Sequence, residues 1–227
     1  MRALIRQTLI IAAKDLRTEF RTKEALNASL SFSLAILLLF SFAVDPSAED
    51  IHEMSGGLLW MVFAFAGALI LNRSFSREVP NDCLDALIAS PAPSSALFLG
   101  KALANVILLL LVELACLPVF GIFYDVRWTA QLGGLLVVLA LGTWATAVIG
   151  TMFSALTVNL RLRELMLPTL VYPVLIPALM AAMTLTSELL AGQGLGGDNL
   201  IWIRVLVAFD VIFTLLAASL VDAVLVG

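Results

Sequence analysis

The sequence predicts an all-α integral membrane protein, with six transmembrane helices behind an N-terminal amphipathic helix. Three observations predict it. Hydrophobic residues make up 61% of the 227-residue chain and charged residues only 13%, where a soluble domain is nearer half apolar and a quarter charged. The apolar residues fall in six runs, each long enough to cross a hydrocarbon core of about 30 Å, which takes about 20 helical residues. Lys and Arg alternate between the connections in the way that sets membrane orientation.

The chain divides into an interfacial unit, residues 1–24, and a span-bearing unit, residues 25–227. In the first unit Ile5, Leu9, Ala12, Leu16 and Phe20 recur at helical spacing, and Lys14, Arg17, Thr18 and Arg21 gather on another side. Such a helix lies in the headgroup region, with its apolar stripe toward the hydrocarbon and its cations near anionic lipid. The spans follow at 25–44, 56–71, 97–124, 131–157, 165–187 and 201–226. The second is short, with room to extend past Asn72. Every run is continuously apolar, without the period-two alternation of barrel strands. The first begins only after a long charged segment and exceeds a signal-peptide h-region, so it is expected to be retained.

Eleven of the thirteen Lys and Arg residues fall in connections on one side of this arrangement, and only Arg127 and Arg204 on the other. Cations concentrate on the cytoplasmic side, so both termini are expected there. The net charge of −4 and the lack of a basic patch with interleaved aromatics give no support to a nucleic-acid partner.

The connection at about 72–101 is the longest on the cytoplasmic side. Arg73, Arg77 and Glu78 lead into a break at Pro80-Asn81. Residues 82–88 then suit a short helix, with Asp82 at its positive N-terminus, ended by Pro91 and Pro93. This helix reads equally as a docking element for a soluble partner or as a plain connector. Gly100-Lys101 is not a phosphate loop, because Ser95 stands where a glycine is needed and Ala102 follows the lysine. No motif for ATP occurs in this chain.

Inside the spans, Asn105 and Glu113 lie two turns apart. They read as lining a pathway or, preferably, as structural hydrogen-bonding groups. Asp210 and Asp222 also fall within or near the ends of spans. Gly142, Thr146, Gly150 and Ser154 form a small-residue face that lets two helices approach closely, within one chain or between two. Pro168, Pro173 and Pro177 predict a bent or locally unwound fifth span; mobile breaks and a static kink are both open. Cys83, in a connection, and Cys116, inside a span, are not placed to pair. His52 is the only histidine, so no metal cluster is expected, and a solvated side chain is its preferred reading over ligation of a heme iron.

Taken together, several blocks resemble one family. They are Lys14-Asp15-Leu16-Arg17-Thr18-Glu19-Phe20-Arg21, Leu58-Leu59-Trp60, Leu71-Asn72-Arg73-Ser74-Phe75, Arg77-Glu78, Asp82-Cys83-Leu84-Asp85 with Pro91, Leu99-Gly100-Lys101, Glu113 with Pro118, and Arg161-Leu162-Arg163-Glu164 through Pro168, Pro173 and Pro177. In this order they resemble the heme exporter protein B family, the membrane subunit of the cytochrome c maturation ABC transporter. The chain departs from the family pattern at Val79-Pro80-Asn81, where a more acidic, glycine-containing stretch is expected.

The resemblance implies an exporter-type ABC permease of the bacterial inner membrane, non-catalytic itself, with ATP hydrolysed by a separate ABC ATPase subunit. It implies pairing with a second copy of this chain and assembly with a tryptophan-rich heme-handling membrane protein, a small single-span subunit and a heme chaperone. Heme enters as a transported or partner-bound ligand rather than a resident cofactor. The ATPase-coupling interface would comprise Lys14, Arg17, Arg21, Arg77, Glu78, Asp82, Cys83, Leu84 and Asp85. Two other readings stand beside it: a scaffold for heme-handling subunits, and a stand-alone secondary transporter, against which the sparse intramembrane charge counts. An intramembrane hydrolase or metalloprotease lacks its histidines.

Overall fold

The computed structural model describes residues 2–43, 51–79, 83, 92–158, 160 and 162–226. Its main elements are seven α-helices: α1 (Arg2–Thr22), α2 (Glu24–Ala43), α3 (Ile51–Leu71), α4 (Ser94–Tyr124), α5 (Leu132–Thr157), α6 (Arg163–Leu190) and α7 (Leu200–Val226), with a 3₁₀ turn at Gly197–Asn199 before α7. No strand occurs among the described residues. The six helices α2 to α7 are long and apolar enough to cross a membrane, and α1 packs on α4 and meets the start of α2 and the turns that follow α3.

A single residue, Lys23, separates α1 from α2, with φ of +56°. The left-handed conformation redirects the chain there, while Lys23 still donates its backbone N–H to Glu19 and accepts one from Asn27. The second span grows in the opposite direction to expectation. It starts at Ile51 and does not run on past Asn72, because residues 72–78 close into successive turns.

Of the two forms expected for the fifth span, bent or locally unwound, the second does not occur. α6 is helical throughout Arg163–Leu190, through Pro168, Pro173 and Pro177, so no local unwinding occurs. Each proline removes only one amide donor. Buried Val171, Leu175, Ala178, Ala182 and Leu185 hold the helix against α3, α5 and α7.

The core lies among α3, α4, α5 and α6, with Trp60, Phe63, Leu71, Leu109, Phe120, Val138 and Leu175 at its centre. The small-residue face of α5 receives α3 of the same chain. A Cβ on Gly142 would lie 2.1 Å from the Trp60 ring, and one on Gly150 2.3 Å from Leu71; Gly67 meets Thr146. Ser154 donates to the Leu71 carbonyl at 2.9 Å.

Several polar atoms within the spans find partners, as a low dielectric demands, whereas both carboxyl oxygens of buried Asp210 have none among the described residues. The Trp60 indole donates to Thr186 (2.9 Å), the Trp144 indole to Thr214 (2.9 Å) and the Tyr124 hydroxyl to the Leu37 carbonyl (3.0 Å). The outside of the bundle is apolar: Phe42 is 83% exposed and Ile122 80%, a surface suited to hydrocarbon rather than water.

The N-terminal helix turns an unexpected face inward. Ile11, Ala12 and Glu19 are buried, and α1 packs mainly on α4. At the crossing, Gly100 leaves room that its Cβ would fill, 2.8 Å from the Ile11 Cβ and 2.9 Å from the Thr8 carbonyl oxygen. The apolar stripe largely faces away: Ile5, Leu9 and Phe20 are each about half exposed, and Ala12 alone of that stripe is buried. Arg17 and Arg21 are exposed as well. The face against the protein is held by charge.

Candidate functional site

Three chain segments bring their charges together between α1 and the bundle. α1 carries Lys14, Asp15 and Glu19, which a helical step of one or four residues places along one flank. The turns after α3 carry Arg73, Arg77 and Glu78. Lys101 comes from the second turn of α4, and Glu24 from the start of α2.

Lys101 is the centre, only 1% exposed. Its ammonium donates to the Ser74 carbonyl at 2.8 Å and pairs with Asp15 at 3.2 Å and Glu78 at 3.0 Å. It also sits 4.8 Å from the centroid of the Phe75 ring. Lys14 pairs with the same two acids, Asp15 at 3.1 Å and Glu78. Burial of Lys14 works to lower its pKa, but the hydrogen bond it donates to Glu78 and the charges of Asp15 and Glu78 outweigh it, so the group stays above its ordinary value of 10.5.

Glu19 is fully buried and ties three segments. It accepts the backbone N–H of Leu26 at 2.9 Å and pairs with Arg77. Arg73 pairs with Glu24 at 2.7 Å, an exposed contact. A cavity of about 460 Å³ runs between these side chains. Four cations and three acids line it, and Glu24, outside the lining, pairs with Arg73, so the charges are largely matched within the protein. Its chemistry is cohesion: buried charges keep their place only when paired, and here every pair except Arg73–Glu24, which ties the turn after α3 to α2, joins α1 to another element or shares an acid with one that does.

Of the coupling residues expected from sequence, Lys14, Arg77 and Glu78 meet in this cluster, and exposed Cys83 lines its cavity. Arg17 and Arg21 point elsewhere on α1. Asp82, Leu84 and Asp85, and with them the short helix expected at 82–88, lie outside the described residues. Sequence reasoning missed Asp15, Glu19, Arg73 and Lys101 as members. The available signal was Lys101 itself, a cation at the head of a long apolar run.

Asn105 and Glu113 do not share a partner. Asn105 extends the cluster inward, its amide donating to Ser74 at 2.9 Å and Thr151 at 2.8 Å. Glu113 is buried apart from it and accepts from the Thr143 hydroxyl at 2.6 and 2.8 Å. Among the described residues no group of three His, Cys, Asp or Glu side chains is placed to hold a metal ion.

A family model described as CcmB protein matches residues 6–225, from the first turns of α1 to the end of α7. The chain belongs to the CcmB protein family. Among curated CcmB relatives, heme exporter protein B of Rhodobacter capsulatus is 35% identical over 179 residues, covering 79% of this chain and 78% of its own. Heme exporter protein B of Pseudomonas aeruginosa is 28% identical over 205 residues, covering 90% and 91%. That of Paracoccus denitrificans is 31% identical over 166 residues, covering 73% and 76%. The CcmB match takes in α1 and every span, so the whole ion-pair cluster lies within the family region.

Proposed function

We propose that this chain is the membrane permease subunit of an ATP-driven ABC transporter that serves heme delivery or export in cytochrome c maturation. ATP is hydrolysed by a separate ATPase subunit. Movement of that subunit enters through α1 and the connection at 72–101 and reaches the spans. The chain works in the bacterial inner membrane with both termini cytoplasmic, as the distribution of Lys and Arg supports. Its partners are the ATPase, a second copy of itself, the tryptophan-rich heme-handling protein, the small single-span subunit and the heme chaperone; heme is cargo or is held by a partner.

The observation that carries the reading is the cluster around Lys101. A force on the turn at 73–78 acts on α1 through Glu78–Lys14 and Arg77–Glu19, and on α4 through Glu78–Lys101. The elements that face the cytoplasm in this reading therefore move together with two spans. Nucleotide then has only to change the relative stability of two such arrangements.

Affinity purification of the chain from membranes in mild detergent, with and without a trapped ATP state, tests this. An ABC ATPase should be recovered in equal amount, with nucleotide-dependent retention that weakens in Glu78→Gln. Retention indifferent to nucleotide would turn the assignment toward the scaffold reading, and failure to recover an ATPase in any state would refute the permease.

A further inference from the structure

A second cavity opens at the same end of the bundle, among α2, α3 and α6, with a volume of about 770 Å³. Its walls are of two kinds. Leu69, Leu165 and Pro168 form an apolar part, and Arg73, Arg163 and Asn72 stand in the polar part. The two parts are ordered by depth. Asn72 directly follows α3, and Arg163 opens α6, so the polar groups stand where hydrocarbon gives way to headgroups. Leu69 and Pro168 lie about a turn further into the spans.

The polar groups have capacity to spare. Arg163 makes no ion pair among the described residues, and it sits at a helix N-terminus, where the backbone adds positive potential. Among the described residues Arg73 pairs with Glu24 alone, whose side chain is 66% exposed, and exposed pairs are weak and exchangeable. Arg77 also lines the cavity but is committed to Glu19. Among the described residues the amide oxygen of Asn72 is buried without a hydrogen-bond partner, a costly state for a polar atom. Glu24 and Glu164 also line it, with Ala68 and Ser76, and the two acids disfavour a ligand of high negative charge.

We infer that this cavity is a binding site for one membrane phospholipid whose headgroup carries a hydrogen-bond donor, a glycerol or ethanolamine type. The phosphodiester sits between Arg73 and Arg163. The headgroup hydroxyl or ammonium donates to the Asn72 oxygen and, for the ammonium, faces Glu24 and Glu164. An acyl chain follows Leu69, Leu165 and Pro168 into the hydrocarbon. A choline headgroup satisfies the arginines but has no donor for Asn72, so the site discriminates against it. The inference is independent of any transport role.

Native mass spectrometry of the purified full chain, with phosphatidylglycerol, phosphatidylethanolamine and phosphatidylcholine in equal competition, tests the site. Wild type should retain the first two over the third. Arg163→Gln should lower retention of all three, by about fivefold for one interfacial cation. Asn72→Leu should erase the preference over phosphatidylcholine while retaining phosphodiester binding. A photoactivatable phosphatidylglycerol should crosslink to peptides containing Leu69 and Leu165, and inorganic phosphate should not displace it. Equal retention of the three lipids by wild type, crosslinks confined to other faces of the bundle, or displacement by phosphate alone would each overturn the proposal. Monodisperse gel filtration of both variants separates lost binding from lost fold.

Discussion

Replacing Lys101 by Met removes the central charge of the cluster while nearly conserving volume. Asp15 and Glu78 then face each other with Lys14 as their one shared cation, because Lys14 and Lys101 contact the same two acids. Stripping one partner from a buried pair costs about 3–5 kcal/mol. The remaining lysine and the partial exposure of Asp15 put this variant at the low end, about 3 kcal/mol. For a chain of this size that is a fall of about 6–12 °C in melting temperature. The unfolding of purified protein in lipid nanodiscs, followed by tryptophan fluorescence, reads it. The decisive comparison is Lys101→Met combined with Glu78→Gln. Removing the acid as well restores charge balance, so the double variant should be more stable than the sum of the single changes by at least about 1 kcal/mol. Additive losses, or a Lys101→Met protein as stable as wild type, would show that the ion pairs do not hold α1 to the bundle.

Three further outcomes follow from particular positions. Lys14 has a folded-state pKa above its unfolded value of 10.5, so its stabilising contribution is complete below that unfolded value and disappears as pH rises through the higher folded one; melting temperature should fall in this strongly alkaline range, and fall less in Lys14→Met. Gly142→Ala drives a methyl group to within 2.1 Å of Trp60 and should cost about 1–3 kcal/mol in the same unfolding assay, whereas Gly133→Ala, with open space at its Cβ, should cost little. Lys23→Gly relieves a left-handed residue at φ +56° and should raise stability by up to about 1 kcal/mol, while Lys23→Val should lower it.

The spans were legible in the sequence because a bilayer demands long, unbroken apolar runs, and such runs are a local property. Departures occurred where local and tertiary signals conflict. α3 begins at Ile51 although His52 and Glu53 make that stretch polar, so an apolar run alone placed its start too late. α6 carries three prolines whose local preference is to break a helix, yet it packs along one side on α3, α5 and α7 and the helix continues. On α1 the periodicity of Ile5, Leu9 and Phe20 marked the stripe expected to meet lipid, which stays about half exposed, but it did not mark the flank bearing Asp15 and Glu19 as the one that packs on the protein. The candidate site was the least legible part. Its pairs span 64 residues for Lys14–Glu78, 58 for Arg77–Glu19 and 86 for Lys101–Asp15. No pattern of spacing encodes such partners before the helices are packed. In the sequence Lys101 counted as a cation on the positive side and as part of the Leu99-Gly100-Lys101 block, with nothing to mark it as the centre of a cluster.

That distribution of charge also bears on how movement could cross the cluster. A single buried salt bridge is a poor transmission element, since any displacement large enough to matter strands two ions at a cost of several kcal/mol. Here two lysines share two acids, Lys14 on α1 and Lys101 on α4, with Glu78 on the turn between them. Sliding the turn lengthens one Glu78 contact as it shortens the other, so the acid always keeps a cation. The unpartnered second oxygen of Glu78 leaves an acceptor free for the exchange. Such an arrangement resists separation of α1 from the bundle but not small shifts along it. On this reasoning Lys14→Met should loosen α1 without abolishing ATPase association, whereas Glu78→Gln, which removes the charge common to both lysines, should uncouple it. A matched pair of variants that lost association equally would argue that the cluster holds the fold together and transmits nothing.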